Sequence, residues 1–360
     1  MLHLLSGLEI GGKEAACLRL ARRGIGEGGD HRLVVFDTDY RSSGVDFDPA
    51  GVPYQFIPRH GGLDLGFARQ IARHLKCIRP GIIHAYNDTA AFYAAAALKW
   101  GNPSSAKLVV AFHTYPSHSS LGARLLTRWG CSTANAVVAV SHALKSRLLG
   151  AGWTKQCNVI PNGVDLDRPR ASNPSVDWRR RLQVPADAIL VGHIGRFDEI
   201  KRHRDLISAA KILESECPEI IITCVGQGPL AGEMQRAASD CRNLRFIPQI
   251  TPATPFLRAL DIFVLCSDYE AAPLTLLEAM ACGVPSVVTS VGGIPEIVGM
   301  DRSATCAMQV KPRSPGDLAQ ALKRLSRNQG ERTKLGLCAQ KRSLNYSFEK
   351  EWQAYSELYS

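Results

Sequence analysis

Two glutamates separated by seven residues, Glu270 and Glu278, have the clearest chemical potential in this sequence. The strand pattern at 261–266 precedes Glu270, and the helix pattern at 274–281 contains Glu278. Loops that follow strands of a parallel sheet lie at its carboxyl edge, where ligands bind, and a helix start offers unpaired backbone N–H groups. Two carboxylates beside such donors can hold the hydroxyl groups of a polyol, whereas two solvated surface acids are the plain alternative.

Two cations, Arg196 and Lys201, flank a second loop of the same kind. This loop follows the strand pattern at 188–194 and precedes a predicted helix that runs through Leu213. Arginine supplies a planar fork of donors and lysine a point charge, so the pair suits a diphosphate group. Taken alone, an arginine with a lysine five residues later is also common on ordinary protein surfaces.

The elements that must position these residues alternate between short strands and helices along the whole chain. Predicted strands cover residues 2–5, 31–36, 53–57, 81–84, 107–112, 136–140, 188–194, 220–225, 244–247, 261–266 and 308–310. Predicted helices include 13–23, 65–78, 90–100, 274–281, 315–325 and 348–359. This alternation predicts an α/β fold with parallel sheets, and 360 residues suit two domains. The polar, proline-rich segment 167–174 predicts the boundary between them.

A longer ordered set of motifs surrounds the two glutamates. Glu270 and Glu278 are followed by an Ala-Met-Ala-Cys-Gly-Val-Pro run at 279–285 and by Gly-Gly-Ile-Pro-Glu at 292–296. This set resembles the donor-binding half of retaining glycosyltransferases of family 4. The resemblance implies the GT-B fold, in which two Rossmann-like domains face a central cleft and a C-terminal helix crosses back to the first domain. The expected parts are an acceptor-side domain at 1–164, a nucleotide-sugar domain at 165–342 and the returning helix at 343–360.

The resemblance also implies roles for individual residues. His113, Glu270, Arg196 and Lys201 are expected to be catalytic, with His113 and Glu270 on the donor sugar and the two cations on the diphosphate. Glu278 is expected to hold the ribose of the nucleotide. The remaining expected donor contacts are Gly11, Gly12, Ala271, Ala272, Pro273, Leu274, Gly226, Gln249 and Ile250. His84 and His118 have weaker claims as site residues.

Two positions depart from the family pattern. Ala271 stands where the family usually has glycine after the first glutamate, which bears on the shape of the donor-sugar pocket. Arg202 stands where glycine often follows the lysine, and it adds a positive charge.

The net charge of +10 is concentrated in the first half of the chain. Residues 1–164 have a net charge of +8, and no acid occurs between Thr89 and Val164. Such a surface attracts a lipid headgroup surface, a diphosphate-linked acceptor or a nucleic acid, and a solvated face without a partner is the alternative. The segment 119–129 combines leucines with Arg124 and Arg128, a pattern suited to an interfacial helix. Core packing with two solvated arginines is the alternative for this segment. Because several members of the family that the chain resembles glycosylate lipid carriers at the cytoplasmic membrane face, peripheral contact with an anionic membrane through the first domain is expected.

The composition and motifs of the chain indicate where in the cell the protein is expected and whether it needs a metal or cofactor. No apolar run approaches the roughly 20 residues that span a bilayer, and the first residues lack the pattern of a signal peptide. Eleven cysteines without a Cys-x-x-Cys pair favour reduced thiols in a cytoplasmic protein, which could lie at the inner face of the cytoplasmic membrane. Three Asp-x-Asp matches, at 37–39, 46–48 and 165–167, lie in predicted loops or in the connector. Because Arg196 and Lys201 would already neutralise the diphosphate, no metal and no cofactor is expected.

The resemblance therefore implies a retaining glycosyltransferase that moves a sugar from a nucleotide-sugar, UDP- or GDP-linked, to a hydroxyl of an acceptor glycan or lipid-linked sugar. Cell-surface polysaccharide or glycolipid assembly is the expected process. A sugar-nucleotide epimerase on the same scaffold is one alternative. A basic nucleic-acid-binding protein is another, although the chain has no interleaved exposed aromatics or recognisable module for that role. No nucleic-acid partner is expected.

Overall fold

A computed structural model describes residues 1–8, 11–38, 49, 51–101, 106–116, 120–167, 177–300 and 305–360. The chain divides into two compact units. The first contains Met1–Asn162 together with Glu351–Ser360, and the second contains Gly163–Lys350. The acceptor and donor roles expected for the two domains stay predictions.

The first unit is built on one parallel sheet. Its strands are β1 (Leu2–Gly7), β2 (Arg32–Thr38), β3 (Tyr54–Phe56), β4 (Ile82–Ala85), β5 (Lys107–Phe112), β6 (Ala136–Ala139) and β7 (Asn158–Val159). Its helices are α1 (Gly12–Gly26), α2 (Leu65–Ile78), α3 (Asp88–Gly101), α4 (Leu121–Thr133) and α5 (His142–Gly150). The strand order is β3-β2-β1-β4-β5-β6-β7, and every pairing is parallel.

The strands of this sheet form because they are short, apolar and covered by helices on their faces. Leu4, Val34 and Val110 are fully buried, as expected for parallel strands that have no solvated face. Helix α2 begins at an Asp64 side chain that accepts from the N–H of Phe67, and α5 begins at Ser141, which caps Leu144 in the same way. These caps fix where the helices start after the carboxyl edge of the sheet.

The second unit repeats the architecture. Its strands are β8 (Ile189–Ile194), β9 (Ile220–Val225), β10 (Leu244–Ile247), β11 (Ile262–Leu265), β12 (Ser286–Thr289) and β13 (Met308–Val310). Its helices are α6 (Trp178–Arg181), α7 (His203–Glu216), α8 (Ala231–Ala237), α9 (Thr254–Leu257), α10 (Leu274–Ala281), α11 (Ile294–Val298), α12 (Pro315–Arg327) and α13 (Gln329–Ser343). The parallel order is β10-β9-β8-β11-β12-β13, so the chain reverses its direction across the sheet between β8 and β11.

The last helix, α14 (Phe348–Tyr359), belongs to the first unit from Glu351 onward. Glu351 is buried and accepts a 3.3 Å bond from Arg19 of α1. The Tyr359 hydroxyl lies 2.8 Å from Nδ1 of His84, and Lys107 donates to the backbone oxygen of Ser360 at 2.6 Å. The end of the chain is therefore part of the core around β1, β4 and β5.

One prediction about the cysteines is wrong. Cys306 and Cys338 form a disulfide whose Cα atoms lie 5.1 Å apart, whereas all eleven thiols were expected to be reduced. The pair is brought together because α13 packs beside α11: Arg342 of α13 donates to the carbonyl oxygens of Ile297 at 2.5 Å and of Glu296 at 2.8 Å. The other nine cysteines are free.

Within the described residues, no helix is both long and apolar enough to cross a bilayer. The same part of the chain contains no cluster of three or more potential metal ligands. Of the Asp-x-Asp matches, Asp37 forms a 2.7 Å ion pair with Arg59, and Asp165 accepts from the backbone N–H of Asp167. Asp39 and the 46–48 match lie outside the described residues, as does most of the 167–174 connector.

Candidate active site

The predicted donor-site residues of the second unit lie at the point where its strand order reverses. The loop after β8 carries Arg196 and Lys201, and the loop after the neighbouring β11 carries Glu270. Where connections leave two adjacent strands in opposite directions, their loops separate and leave a crevice at the carboxyl edge of the sheet. The topology therefore places both charged loops at the standard ligand position of an open α/β sheet.

An ion pair joins the two loops. Lys201 Nζ donates to Oε1 of Glu270 at 2.6 Å, and the hydroxyl of Ser267 donates to the same oxygen at 2.7 Å. The Glu270 side chain is only 9% exposed, and that of Lys201 is 23% exposed. A buried carboxylate with two donors keeps one geometry, because breaking either bond would leave its charge incompletely solvated. The structure thus brings together two of the four predicted catalytic residues.

Backbone bonds fix the same two loops independently of the ion pair. The N–H of Asp268 donates to the carbonyl of Ile200 at 2.8 Å, and the N–H of Lys201 donates to the carboxylate of Asp198 at 3.1 Å. Thr289, at the end of β12, donates its hydroxyl to the carbonyl of Ser267 at 2.7 Å. Lys201 and Glu270 are therefore held by the main chain of three adjacent strand ends.

Arg202 is the residue that replaces glycine in the family pattern. It adopts a left-handed conformation with φ of 54°, and its guanidinium makes two bonds of 2.9 and 3.0 Å to Asp205. Its Nε also lies 3.9 Å from Asp268, which in turn binds Arg313. The extra positive charge is therefore balanced by acids beside the site.

The loop that contains Gly292 and Gly293 packs directly on Glu270. The N–H of Gly293 donates to the Glu270 carbonyl at 2.9 Å, and Gly292 has φ of +53°. A Cβ placed on Gly292 would lie 2.0 Å from the Glu270 carbonyl oxygen. Sequence reasoning recognised the Gly-Gly pair as a loop but missed this supporting role, and it also missed Ser267.

Gly226 and Gly228 belong to a Gly-x-Gly-Pro turn at 226–229 and allow this turn to approach the loop after β8 closely. A Cβ on Gly226 would lie 2.1 Å from the carbonyl oxygen of Gly195, and one on Gly228 would lie 2.5 Å from that of Phe197. Both glycines have positive φ, at 147° and 156°. The predicted contact Gly226 is therefore needed for close backbone packing beneath Arg196.

The remaining predicted donor contacts follow the same carboxyl edge. Ala271, Ala272 and Leu274 are buried beside Glu270, and the half-buried Glu278 lies one turn after the start of α10. Pro273 is the N-cap of α10, and no side chain caps the free N–H groups of the first turn. Uncapped N–H groups at a helix start attract anions and hydroxyl oxygens. Gln249 and Ile250 are half-buried in the loop after β10, and Arg196 is exposed.

His193 is a residue that sequence reasoning did not select. Its Nδ1 donates to the carbonyl of Val264 at 2.9 Å, which joins β8 to β11 and leaves Nε2 as the acceptor of the neutral ring. Nε2 is buried, has no bond to any described residue and faces Gly195 at 3.0 Å from a Cβ built there. Burial lowers the pKa of His193 to about 4, so the ring is neutral at physiological pH.

Of the predicted site residues of the first unit, Gly11 and Gly12 lie after β1, at the strand reversal between β1 and β4. Gly11 precedes α1, and a Cβ on it would lie 2.4 Å from the carboxylate of Glu14, while Gly12 is the first residue of the helix. Lys13 donates to the Ser6 hydroxyl at 3.3 Å and pairs with Glu14 at 3.1 Å. In the described part of this loop, the charges of Lys13 and Glu14 are paired.

His113 follows β5, and its ring stacks on Tyr86 with centroids 5.8 Å apart. Burial, assisted by the nearby charges of Lys13 and Arg19, lowers the pKa of His113 to about 3. His113 is therefore a neutral imidazole. His84 is fully buried and bonded to Tyr359, which assigns it to the core, and His118 lies outside the described residues.

Two parallel α/β units, with charged loops at the strand reversal of the second, define a two-unit α/β architecture, and comparisons with known proteins specify the family. Residues 10–168 match the model of Glycosyltransferase Family 4, and residues 188–328 match that of glycosyl transferases group 1. The chain belongs to the family 4 glycosyltransferases and is an enzyme of that class with the GT-B fold.

Curated relatives agree with this assignment. The chain is 27% identical over 311 residues to the putative glycosyltransferase EpsF of Bacillus subtilis, covering 80% of this chain and 78% of that protein. It is 29% identical over 215 residues to the D-inositol 3-phosphate glycosyltransferase of Corynebacterium jeikeium, covering 56% of this chain and 51% of the relative. It is also 29% identical over 245 residues to the N-acetyl-alpha-D-glucosaminyl L-malate synthase of Bacillus anthracis, covering 65% and 61%. The match thus spans most of EpsF and under two thirds of the other two.

Solved structures show the same fold. Anabaena HepE in complex with UDP superimposes with a TM-score of 0.83 at 19% identity, covering 99% of this chain and 98% of HepE. WaaG, a glycosyltransferase involved in lipopolysaccharide biosynthesis, gives a TM-score of 0.77 at 15% identity with complete coverage of both chains. The expected GT-B fold is confirmed.

Proposed function

We propose that this enzyme transfers a sugar, with retention at the anomeric carbon, from a UDP- or GDP-sugar to an acceptor hydroxyl in cell-surface polysaccharide or glycolipid assembly. The observation that carries the proposal is the Lys201–Glu270 ion pair at the β8–β11 strand reversal, 2.6 Å long and largely buried. It holds a cation beside the carboxylate that we assign to the donor sugar. Complexes of HepE with UDP and with UDP-glucose favour a uridine donor.

The transfer reaction requires the protein to stabilise the negative charge that develops on the departing diphosphate. The bond from the anomeric carbon to the diphosphate oxygen breaks with its electron pair going to the diphosphate. The acceptor oxygen forms the new bond to the anomeric carbon and gives its proton to the departing diphosphate oxygen. Arg196, Lys201 and the uncapped N–H groups of α10 would neutralise the developing charge without rearranging, because the main chain already fixes them. Lys201 can serve both partners, since its ammonium has three donors.

Glu270 would accept hydrogen bonds from hydroxyl groups of the donor sugar. Its buried carboxylate is oriented by Ser267 and Lys201, so it can bind hydroxyls with little loss of side-chain freedom. Glu278 would hold the ribose from the second turn of α10. The assignment of His113 to the donor sugar rests on the family resemblance, and its neutral ring is compatible with hydrogen bonding to a hydroxyl.

Nucleotide binding tests this proposal directly. Calorimetric titration of the folded protein with UDP, GDP, ADP and their glucose conjugates should give binding to one nucleotide series. Glu278→Ala should weaken that binding by about tenfold or more, since a carboxylate hydrogen bond is worth about 1.5–3 kcal/mol. The matched control is Glu216→Ala, because Glu216 lies at the far end of α7 in a surface pair with Lys323. Binding by Glu278→Ala that equals wild type would contradict the site assignment.

We also propose peripheral membrane contact through α4. Leu121 and Leu125 are 72% and 55% exposed on the same helix as Arg124 and Arg128. An exposed leucine pair beside basic residues favours the boundary of an anionic bilayer. Leu121→Ser/Leu125→Ser should reduce sedimentation with anionic vesicles while leaving UDP binding unchanged. Equal sedimentation of variant and wild type would remove α4 as the contact.

A further inference from the structure

The two central strands of the second unit, β8 and β11, diverge before the loops of the candidate active site begin. In the described part of this unit, their paired register ends at Gly192 and Phe263. Each strand stays paired with its other neighbour for longer: β8 pairs with β9 as far as Ile194, and β11 pairs with β12 as far as Leu265. A gap therefore opens between β8 and β11 directly before the two charged loops.

The side chain of His193 spans the start of this gap. Its Nδ1–H donates to the carbonyl oxygen of Val264, the residue opposite it on β11, at 2.9 Å. Farther along, the thiol of Cys266, which is a weak donor, binds the carbonyl oxygen of Lys201 at 3.3 Å. The ion pair between Lys201 and Glu270 follows. A side chain thus takes the place of the backbone bonds that the diverging strands no longer make.

The other ring nitrogen of His193 is not explained by the fold. Nε2 is buried and has no bond to any described residue. The ring of His203 meets the His193 ring edge to face, with centroids 4.7 Å apart. A buried polar atom without a partner costs stability, whereas a leucine would fill a similar space with apolar atoms alone. Core packing by itself therefore does not account for a histidine at this position.

His193 and Lys201 border the same glycine. A Cβ built on Gly195 would lie 3.0 Å from His193 Nε2 and 3.7 Å from Lys201 Cδ. Burial, with a smaller contribution from the charge of Lys201, lowers the pKa of His193 to about 4, although the Val264 bond and the charge of Glu270 act in the opposite direction. The ring is therefore neutral at physiological pH and does not repel the nearby ammonium group.

We infer that His193 is a positioning residue of the donor site, whose bond to Val264 sets the separation of β8 and β11 at which Lys201 and Glu270 meet. The Lys201–Glu270 pair is 2.6 Å long and crosses this gap, so a change of about 1 Å in the separation would disrupt it. His193 acts through these two residues rather than on the donor. The inference rests on the proposed function, because that function assigns Lys201 to the donor diphosphate.

Calorimetric comparison of nucleoside monophosphates with diphosphates tests this role. UDP is compared with UMP, and GDP with GMP, because a monophosphate lacks the second phosphate that Lys201 would neutralise. His193→Leu removes the donor to Val264, so we expect diphosphate affinity to fall by about tenfold or more while monophosphate affinity stays within about twofold of wild type. Lys201→Gln should give the same pattern, because it removes the cation that His193 positions.

Two further variants separate positioning from a packing defect. His193→Asn keeps an N–H donor near the position of Nδ1, so its diphosphate affinity should lie closer to wild type than that of His193→Leu. Its smaller side chain leaves a cavity, so it should nevertheless have the lower melting temperature of the two. His203→Phe is the matched control: it keeps a ring against Phe197, where the centroids now lie 4.0 Å apart, and should change neither affinity.

Several outcomes would overturn the inference. These are wild-type diphosphate binding by His193→Leu, an equal loss of monophosphate and diphosphate affinity in that variant, an asparagine variant that binds no better than the leucine variant, and an equal loss in His203→Phe. Absence of nucleotide binding in wild type would instead refute the proposed function.

Nitrogen NMR of the imidazole rings tests the Val264 bond without any ligand. The His193 signals are identified by their absence from His193→Asn, and we expect a neutral ring with its proton on Nδ1 at neutral pH. A proton on Nε2 would overturn the inference whatever nucleotide the wild type binds.

Discussion

At the scale of single residues, the orientation of Glu270 depends on groups outside the predicted set of donor contacts. Glu270 is oriented by the hydroxyl of Ser267, and the backbone of Ser267 is in turn held by Thr289. The Glu270 carbonyl is held by Gly293. The carboxylate therefore points in one direction because three strand ends support it.

Gly292 is the position at which a substitution should disturb the orientation of Glu270 most. Gly292→Ala places a methyl group 2.0 Å from the Glu270 carbonyl oxygen at a φ of +53°, so the loop after β11 must move. We expect transfer activity to fall by about tenfold or more, because a displacement near 1 Å at a binding group can cost about a hundredfold in rate. Initial-rate measurement with the donor identified by calorimetry checks this.

Gly316→Ala is the matched control for that change. Gly316 lies in helix α12, and a Cβ there would meet nothing within 4 Å. Alanine at that position should leave activity unchanged and raise stability by about 0.5–1 kcal/mol. If Gly292→Ala were as active as Gly316→Ala, the support of Glu270 by the Gly-Gly loop would be wrong.

At the scale of elements, hydrophobic periodicity and the positions of glycine and proline predicted most strands and helices of the second unit. The helix at 274–281 and the strands at 220–225, 244–247 and 308–310 have the predicted limits in the structure. These elements are apolar and bounded by glycine or proline, so local pattern and burial agree. Helix α13 was not predicted, because few of its residues are buried and its surface is largely charged.

In the candidate site too, local sequence patterns identified some residues, whereas contacts between loops far apart in the sequence were not predicted. Lys201 and Glu270 could be selected because each lies at a strand-to-helix loop, and the strand order then brings them together. The part played by Ser267 and Gly292 depends on how close the loops after β11 and β12 approach one another. A single sequence does not reveal how close these two loops lie to one another.

Helix α13 also carries the unpredicted disulfide, which offers a test of how it is attached. Cys306 and Cys338 are 32 residues apart, and closing a loop of that length is expected to contribute about 3–4 kcal/mol of stability through the unfolded state. A thiol assay of the denatured, unreduced protein should therefore find nine free thiols, and reduction should lower the melting temperature. Cys338→Ser should melt at the temperature of the reduced protein, and reduction should not lower it further. Eleven reactive thiols before reduction would contradict the disulfide.

At the scale of the whole molecule, the two units differ in the number of neutral histidines they bury. In the first unit, burial lowers the pKa of His3 and His84 well below 6.5, that of His31 to about 4 and that of His113 to about 3. His3 bonds to Tyr86 at 2.9 Å and to His31 at 3.0 Å, so these rings form one network with α14 through His84 and Tyr359. Burial also lowers the pKa of His74 of α2. In the second unit, the histidines with a lowered pKa are His193 and His203, at about 4 and about 2.

This difference predicts that acid destabilises the first unit more steeply than the second. Each of these histidines binds its proton more weakly in the folded chain, so the unfolded state takes up more protons as the pH falls below about 6.5. The stability is fully present above that pH and is lost on acidification, by up to about 1.4 kcal/mol per pH unit for each histidine. Five such groups in the first unit against two in the second give it up to about two and a half times the slope.

Tryptophan fluorescence during urea unfolding measures this slope, because Trp100, Trp129, Trp153 and Trp352 belong to the first unit and only Trp178 to the second. The urea midpoint of the fluorescence transition should fall steadily between neutral pH and about pH 5, above the range where most carboxylates titrate. His84→Asn can keep a polar contact to Tyr359 but removes one titrating group, so its midpoint should depend less on pH by about one proton. The pH slope isolates titration from any general destabilisation, because a packing defect lowers the midpoint equally at every pH. A slope in His84→Asn as steep as in wild type would show that protonation of His84 does not drive the acid sensitivity.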